Sequence, residues 1–130
     1  MSLNTDYVCE WVAAWNRGEV DVLIEGADPD HEWVVAREHP GSTTHRGRDA
    51  VAGYLRDWID TIPDLRIEIA EIEEDGDRVL VVMQMRGTGA GSGAETEVRT
   101  AIVTTFRDGI AVRTEEFLDP EEAREALAAD

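Results

Sequence analysis

The chain has 130 residues, enough for one domain with a buried core, and its 29 Asp and Glu against 12 Lys and Arg give a formal net charge of −17. Such an acidic surface repels phosphate backbones and anionic lipids, so we expect neither nucleic acid nor membranes as partners. No signal peptide and no apolar run of about 20 residues is recognisable, so we expect a cytoplasmic protein.

Apolar residues at 3- and 4-residue spacing predict the first two helices, over 3–17 and 19–25. We expect the single cysteine, Cys9, to be a small buried side chain on the first helix. A strand is predicted over 31–37, followed by a loop rich in Pro, Gly and small polar residues. Helical spacing returns over 48–61, and Pro63 prevents its continuation.

After Pro63 the period of the apolar residues changes to 2, which predicts strands over 65–75, 77–87, 96–107 and 110–118. The glycine-rich segment 87–95 suggests a long connection or a bulged edge. Asp119 as N-cap and Pro120 at the first helical position predict a short C-terminal helix. Helices followed by an antiparallel meander indicate a single α+β domain over 1–130, with helices on the concave face of the sheet.

Four sequence segments occur along the chain in this order: AWNRGEVDVL, RGRDAV, RGTGAGSG and FRDG. Together they resemble the SnoaL-like (polyketide cyclase-like) family of the NTF2-like, or ketosteroid isomerase-like, superfamily. The resemblance covers nearly the whole chain. It implies a strongly curved mixed or antiparallel sheet that forms a cone-shaped α+β barrel around a pocket, and a homodimer built on the open face of the sheet. Members include enzymes and non-catalytic binding proteins, so individual positions must indicate function.

The resemblance places the reactive groups of two known enzyme classes on this sequence. Ketosteroid isomerase needs a carboxylate base and two oxyanion donors. The base falls on Glu38, but the donors fall on Trp11 and Ile102, so we expect no appreciable steroid isomerisation. Polyketide cyclases of the group use a His and an Asp, which fall on Ile102 and at or next to Glu116.

Epoxide hydrolysis by the family mechanism is disfavoured as well. It needs an Asp-Arg-Asp constellation, whose Arg and middle Asp fall on Met83 and Met85 and whose last Asp falls on Glu116. The candidate catalytic residues that remain are Glu116 and Glu38, as general acid or base. A solvated strand residue for Glu116 and a rim carboxylate for Glu38 are the structural alternatives.

We expect apolar and aromatic walls around these carboxylates. Strand alternation places Val112, Thr114 and Glu116 on one face with Ile110, and Glu115 on the other. Core packing is the alternative for the tryptophans and methionines. The predicted pocket residues are Trp11, Trp15, Trp33, Leu55, Trp58, Met83, Met85, Ile102 and Thr114.

Two functions remain open. The first is binding of a small apolar or aromatic metabolite, with or without isomerase, cyclase or hydrolase chemistry; the second is a non-catalytic dimeric module with a self-filled cavity. A solvent-reached cavity of at least about 300 Å³ favours the first, and a packed interior the second. We expect no cofactor and no metal, because His31, His39 and His45 lack a ligand spacing.

Overall fold

The computed structural model describes residues 2–38, 42–88 and 95–129, and within them it shows four helices and one six-stranded sheet. His39 and most of the predicted glycine-rich connection lie outside the described residues. The elements are α1 (Leu3–Asn16), α2 (Val20–Glu25), β1 (Ala27–Val34), β2 (Thr44–Arg46), α3 (Arg48–Thr61), β3 (Arg66–Asp75), β4 (Arg78–Thr88), β5 (Glu95–Arg107), β6 (Ile110–Phe117) and α4 (Pro120–Ala128).

The strands follow the order β2-β1-β6-β5-β4-β3, so the first long strand lies beside the last. β1 runs parallel to β6, whereas β3 to β6 form the predicted antiparallel meander and β2 pairs antiparallel with β1. The predicted α+β class and the curved mixed sheet are confirmed. The sheet does not close, because β2 and β3 are its two edges.

Around β1 the structure differs from the prediction. The strand predicted over 31–37 is β1, which begins at Ala27 and ends at Val34. It begins earlier than predicted because Ala27 already pairs with Ala111 of β6. Pro29 lies in the stretch where the β1–β6 register shifts, a place where a strand tolerates a residue without a backbone N–H. The predicted loop contains the short strand β2, whose three residues pair with those from Glu32 to Val34.

The main core lies between the inner face of the sheet and helices α1, α2 and α3. Val79, Val81 and Met83 of β4 point into it and meet apolar side chains such as Val12 of α1 and Leu55 of α3. Ser2 caps α1 by accepting a hydrogen bond from the backbone N–H of residue 5. Cys9 lies on α1 as predicted but is half-buried rather than buried.

Helix α4 packs on the outer face of the sheet, so the prediction that the helices lie on the concave face is wrong for this helix. Leu80 and Val82 of β4 point outward and would expose apolar surface to water without a cover. Ala123 and Leu127 of α4 supply that cover. β4 is therefore buried on both faces, which accounts for its nearly continuous apolar run.

The outer face beyond α4 is charged. Ion pairs join Arg99 to Glu71 at 3.8 Å and Arg113 to Glu115 at 3.3 Å. α4 already covers the apolar outer surface on β4 and β5, so little of that surface is left for a second copy. The homodimer remains a prediction from the family resemblance. Among the described residues, no helix has both the length and the apolar character of a membrane span.

A bulge interrupts the predicted alternation of β6. Thr105 of β5 pairs with Arg113 and Phe106 pairs with Ala111, which leaves Val112 as the extra residue. Ile110 is consequently 46% exposed, whereas Ala111 is in the core, so the predicted placement of Ile110 on the face of Thr114 and Glu116 is wrong.

Candidate functional site

A cavity of about 270 Å³ lies between α1, α3 and the inner face of the sheet. Aromatic rings from α1, α3 and β1 form one wall, and aliphatic and methionine side chains from β4 and β5 form most of the other. One end lies beside Val98, which is 43% exposed. The lining comprises Trp11, Trp15, Trp33, Tyr54, Leu55, Trp58, Ile62, Leu65, Ile67, Met83, Met85, Thr96, Val98, Thr100, Ile102, Glu116 and Leu118.

The aromatic wall is a continuous series of ring contacts. Trp11 stacks on Trp15 at 5.8 Å between ring centres, because residues four apart lie on one face of a helix. On its other side Trp11 stacks on Trp33 at 5.7 Å. Trp33 then contacts Tyr54 at 6.0 Å, and Tyr54 stacks on His45 at 4.6 Å. One helix, two strands and a second helix thus fix the positions of these rings.

The carboxylate of Glu116 lies at this aromatic wall and accepts hydrogen bonds from three elements of the chain. The indole Nε1 of Trp33 and the hydroxyl of Tyr54 each donate to Oε2 at 2.5 Å. The backbone N–H of Ala36 donates to Oε1 at 3.3 Å. We call Glu116, Trp33 and Tyr54 the carboxylate cluster. Pairing of β1 with β6 brings two of its members together, since Trp33 is in register with Thr114.

Tyr54 is the member of the cluster that the sequence prediction missed. Burial raises the pKa of the Tyr54 hydroxyl above its ordinary value, and the charge of Glu116 and the hydrogen bond to it raise it further. Contacts with Trp58 and Trp33 lower this pKa but do not outweigh those effects. Tyr54 therefore stays protonated and donates its hydrogen bond to Glu116. The sequence did contain a sign of this role, since Tyr54 lies on the apolar stripe of a predicted helix and a buried Tyr hydroxyl needs a hydrogen-bond partner.

The structure brings most of the predicted site residues together. Glu116 faces the cavity, and Glu115 lies on the opposite face of β6 in register with Val103 of the outer cluster. Trp11 and Ile102 occupy the cavity wall without a hydroxyl or carboxyl donor, so the absence of steroid isomerase activity stays a prediction. The predicted residues around the cavity are Trp11, Trp15, Trp33, Leu55, Trp58, Met83, Met85, Ile102 and Glu116.

Thr114 does not line the cavity, although the prediction placed it there. Its Oγ1 lies 3.0 Å from Nε2 of His31, and both side chains are buried. Burial lowers the pKa of His31 to about 4, and the nearby charges of Asp28 and Glu32 oppose this shift without cancelling it. The buried imidazole is therefore neutral at neutral pH, and its ring lies nearly perpendicular to that of Trp33 at 6.2 Å between ring centres.

Glu38 also lies away from the cavity lining. It follows the end of β1 in a turn, its side chain is 40% exposed, and its carboxylate is 3.5 Å from Nε of Arg37. This position matches the rim carboxylate given above as the alternative, because the side chain points to solvent rather than to the cavity. Within the described ranges, no group of three or more His, Cys, Asp or Glu residues could hold a metal ion.

Comparison with known proteins decides the family. The model of the SnoaL-like domain matches residues 8–114. The chain belongs to the SnoaL-like domain family. The predicted resemblance to the SnoaL-like family is thereby confirmed. A search of the curated proteins finds no significant match to this SnoaL-like domain.

Solved structures share the fold of this SnoaL-like domain over nearly its whole length. An NTF2-like protein of unknown function from Burkholderia pseudomallei K96243 is 26% identical, with a TM-score of 0.83 over 99% of this chain and 100% of that chain. TerC, co-crystallised with polyporic acid, is 23% identical, with a TM-score of 0.79 over 98% and 100% of the two chains. A candidate SnoaL-like polyketide cyclase from Jannaschia sp. CCS1 is 20% identical, with a TM-score of 0.81 over 98% and 93%. At these identities the last two show the fold alone.

Proposed function

We propose that this SnoaL-like domain binds a small, flat, largely apolar molecule that carries a hydroxyl or N–H group, and that this group hydrogen-bonds to the carboxylate cluster. The observation that carries the proposal is the Glu116 carboxylate, held by Trp33 and Tyr54 at the wall of an otherwise mainly apolar cavity. Sites for small molecules have this composition, with a few placed polar groups in an apolar lining.

The directions of the hydrogen bonds favour a ligand that donates. The N–H of Trp33 and the O–H of Tyr54 are both directed to Glu116, and the hydroxyl of Thr100 donates to the carbonyl of Phe117 at 2.6 Å. A carboxylate accepts hydrogen bonds and donates none. A ligand hydroxyl beside Glu116 would therefore meet an acceptor, whereas an ether in the same place would gain no donor from these three residues.

The same arrangement supports proton transfer. A carboxylate within hydrogen-bond reach of a ligand hydroxyl or acidic C–H can accept its proton. Trp33 and Tyr54 fix the orientation of the Glu116 carboxylate, which is the geometric condition for such a step. We include acid–base chemistry at Glu116 in the proposal and give Glu38 no part in it, because Glu38 lies in the exposed turn after β1 and outside the cavity lining.

The cavity favours this function over a non-catalytic module with a self-filled interior. Its volume of about 270 Å³ is below the value of about 300 Å³ that we set above and just below the range of roughly 300 to 1,000 Å³ that is usual for ligand sites. It is nevertheless an open space that the surrounding aromatic side chains do not fill, which a packed interior would not leave. TerC, which shares the fold, was crystallised with a small organic molecule. A ligand of modest size agrees with both observations.

Binding of three naphthalene derivatives by isothermal titration calorimetry tests the proposal. We expect 2-naphthol to bind, and 2-methoxynaphthalene, which lacks the donor, to bind about tenfold more weakly, since an unsatisfied polar group costs about 1–3 kcal/mol. The anion 2-naphthoate should bind weakly too, because it would place a second carboxylate beside Glu116.

Two variants test whether the preference for 2-naphthol over its methyl ether depends on Glu116. Glu116→Gln should reduce the preference for 2-naphthol over the methyl ether, because the amide supplies a donor that the ether can use. Glu115→Gln makes the same chemical change on the opposite face of β6 and should leave both affinities unchanged. Equal binding of all three compounds by the unaltered protein, or equal effects of the two variants, would contradict the proposal.

A further inference from the structure

Trp11 differs from the two tryptophans that it stacks against. Nε1 of Trp15 donates to the carbonyl of Leu65 at 3.3 Å, and Nε1 of Trp33 donates to Glu116. Among the described residues, Trp11 has ring contacts with Trp15 and Trp33 but no side-chain hydrogen bond. Its indole therefore forms the middle of the aromatic wall by packing alone.

The cavity volume limits the size of a ligand. An apolar cavity of about 150 Å³ is large enough to bind benzene. The cavity of this protein, at about 270 Å³, is roughly twice as large and has room for about two fused rings. A molecule with three or four fused rings would have to displace part of the wall or extend past Val98 into solvent.

We propose that Trp11 is the size-determining residue of the site, so that the cavity accepts one- and two-ring molecules and disfavours larger fused systems. This inference rests on the proposed function. Replacing Trp15 would leave the carbonyl of Leu65 without its donor, and replacing Trp33 would remove a hydrogen bond from the carboxylate cluster. Trp11 is thus the stacked tryptophan whose truncation enlarges the cavity and leaves both hydrogen bonds in place.

The enlarged cavity should persist, because surroundings relax only partially when a large side chain is truncated. Trp11→Ala removes an indole between Trp15 and Trp33, and each flanking ring is held by its own hydrogen bond. The added space adjoins the existing cavity, since all three rings belong to its lining.

Phenol, 2-naphthol and estradiol test the inference, because each carries a phenolic hydroxyl on one, two or four rings. For the unaltered protein, calorimetry should show estradiol binding at least tenfold more weakly than 2-naphthol. Trp11→Ala should raise the affinity for estradiol at least tenfold and lower that for 2-naphthol. Leu3→Ala changes a residue of the same helix that is 84% exposed and should change neither affinity.

Trp11→Phe provides a second variant that keeps an aromatic ring in the wall. It should raise the affinity for estradiol, but less than Trp11→Ala does. Circular dichroism checks the fold of each variant. Equal binding of estradiol and 2-naphthol by the unaltered protein would overturn the size limit but leave the proposed function intact. An unchanged estradiol affinity in both folded variants would overturn the role of Trp11. Failure of all three phenols to bind any form would instead refute the proposed function, and this inference with it.

Discussion

The buried His31 makes the stability of the protein depend on pH. Burial lowers its pKa from 6.5 to about 4 in the folded protein, whereas the unfolded chain retains the ordinary value. Between these two values the unfolded chain binds a proton that the folded protein does not. The free energy of unfolding contributed by His31 is therefore fully present above pH 6.5 and declines as the pH falls toward 4.

The size of the effect follows from the two pKa values. Lowering the pH from 7.5 to 5 should remove about 2 kcal/mol of unfolding free energy through this residue, given about 1.4 kcal/mol for each unit of pKa difference. His31 is only 5% exposed, so solvent screening reduces the effect little. Its hydrogen-bond partner Thr114 does not titrate, and the facing acids Asp28 and Glu32 already oppose the shift within the stated pKa.

Urea unfolding of the unaltered protein and of His31→Gln at pH 7.5, 6.5, 5.5 and 5 measures this contribution. The amide of Gln can hydrogen-bond to Thr114 but does not titrate in this range. The stability difference between the two proteins should therefore shrink by about 2 kcal/mol from pH 7.5 to pH 5. A constant difference across the series, or a proton NMR titration of His31 near pH 6.5, would refute the reasoning.

Two further measurements test the outer face of the sheet. Leu80→Ala should lower the unfolding free energy by about 2–5 kcal/mol in urea titrations, because Leu80 is completely buried between β4 and α4 and its truncation leaves a cavity; a loss below about 1 kcal/mol would contradict the cover by α4. Light scattering at micromolar concentration should give twice the mass of one chain if the family resemblance is right about the homodimer, and a monomer mass would remove that prediction.

Much of the fold was predictable because its signals are local. Helical spacing and strand alternation depend on neighbouring residues, and the bounds of α3, β3, β4, β5 and β6 agree with the prediction to within one residue. Asp119 and Pro120 marked the start of α4 for the same reason, and the side chain of Asp119 does accept from the N–H of Glu121. Which face of the sheet α4 covers is not local, since it depends on where Leu80 and Val82 point after the meander forms.

The carboxylate cluster shows the same limit at the site. Alternation placed Glu116 inward, but its donors Trp33 and Tyr54 come from residues 83 and 62 positions earlier. No local pattern relates such distant residues. Thr114 was misplaced because strand alternation does not show that the side chain of His31 would lie against it.

The pairing of β1 with β6 determines when the cavity can form. β3 to β6 are neighbours in sequence and can pair through short loops, whereas β1 must pair with a strand about 80 residues later. Contacts of such large sequence separation slow the folding of a domain, because a long loop must close before they form. The bond from Trp33 to Glu116 depends on this pairing, so we expect a meander that forms before it to hold Glu116 without its indole donor. We therefore expect the cavity to be complete only once β1 has joined the sheet.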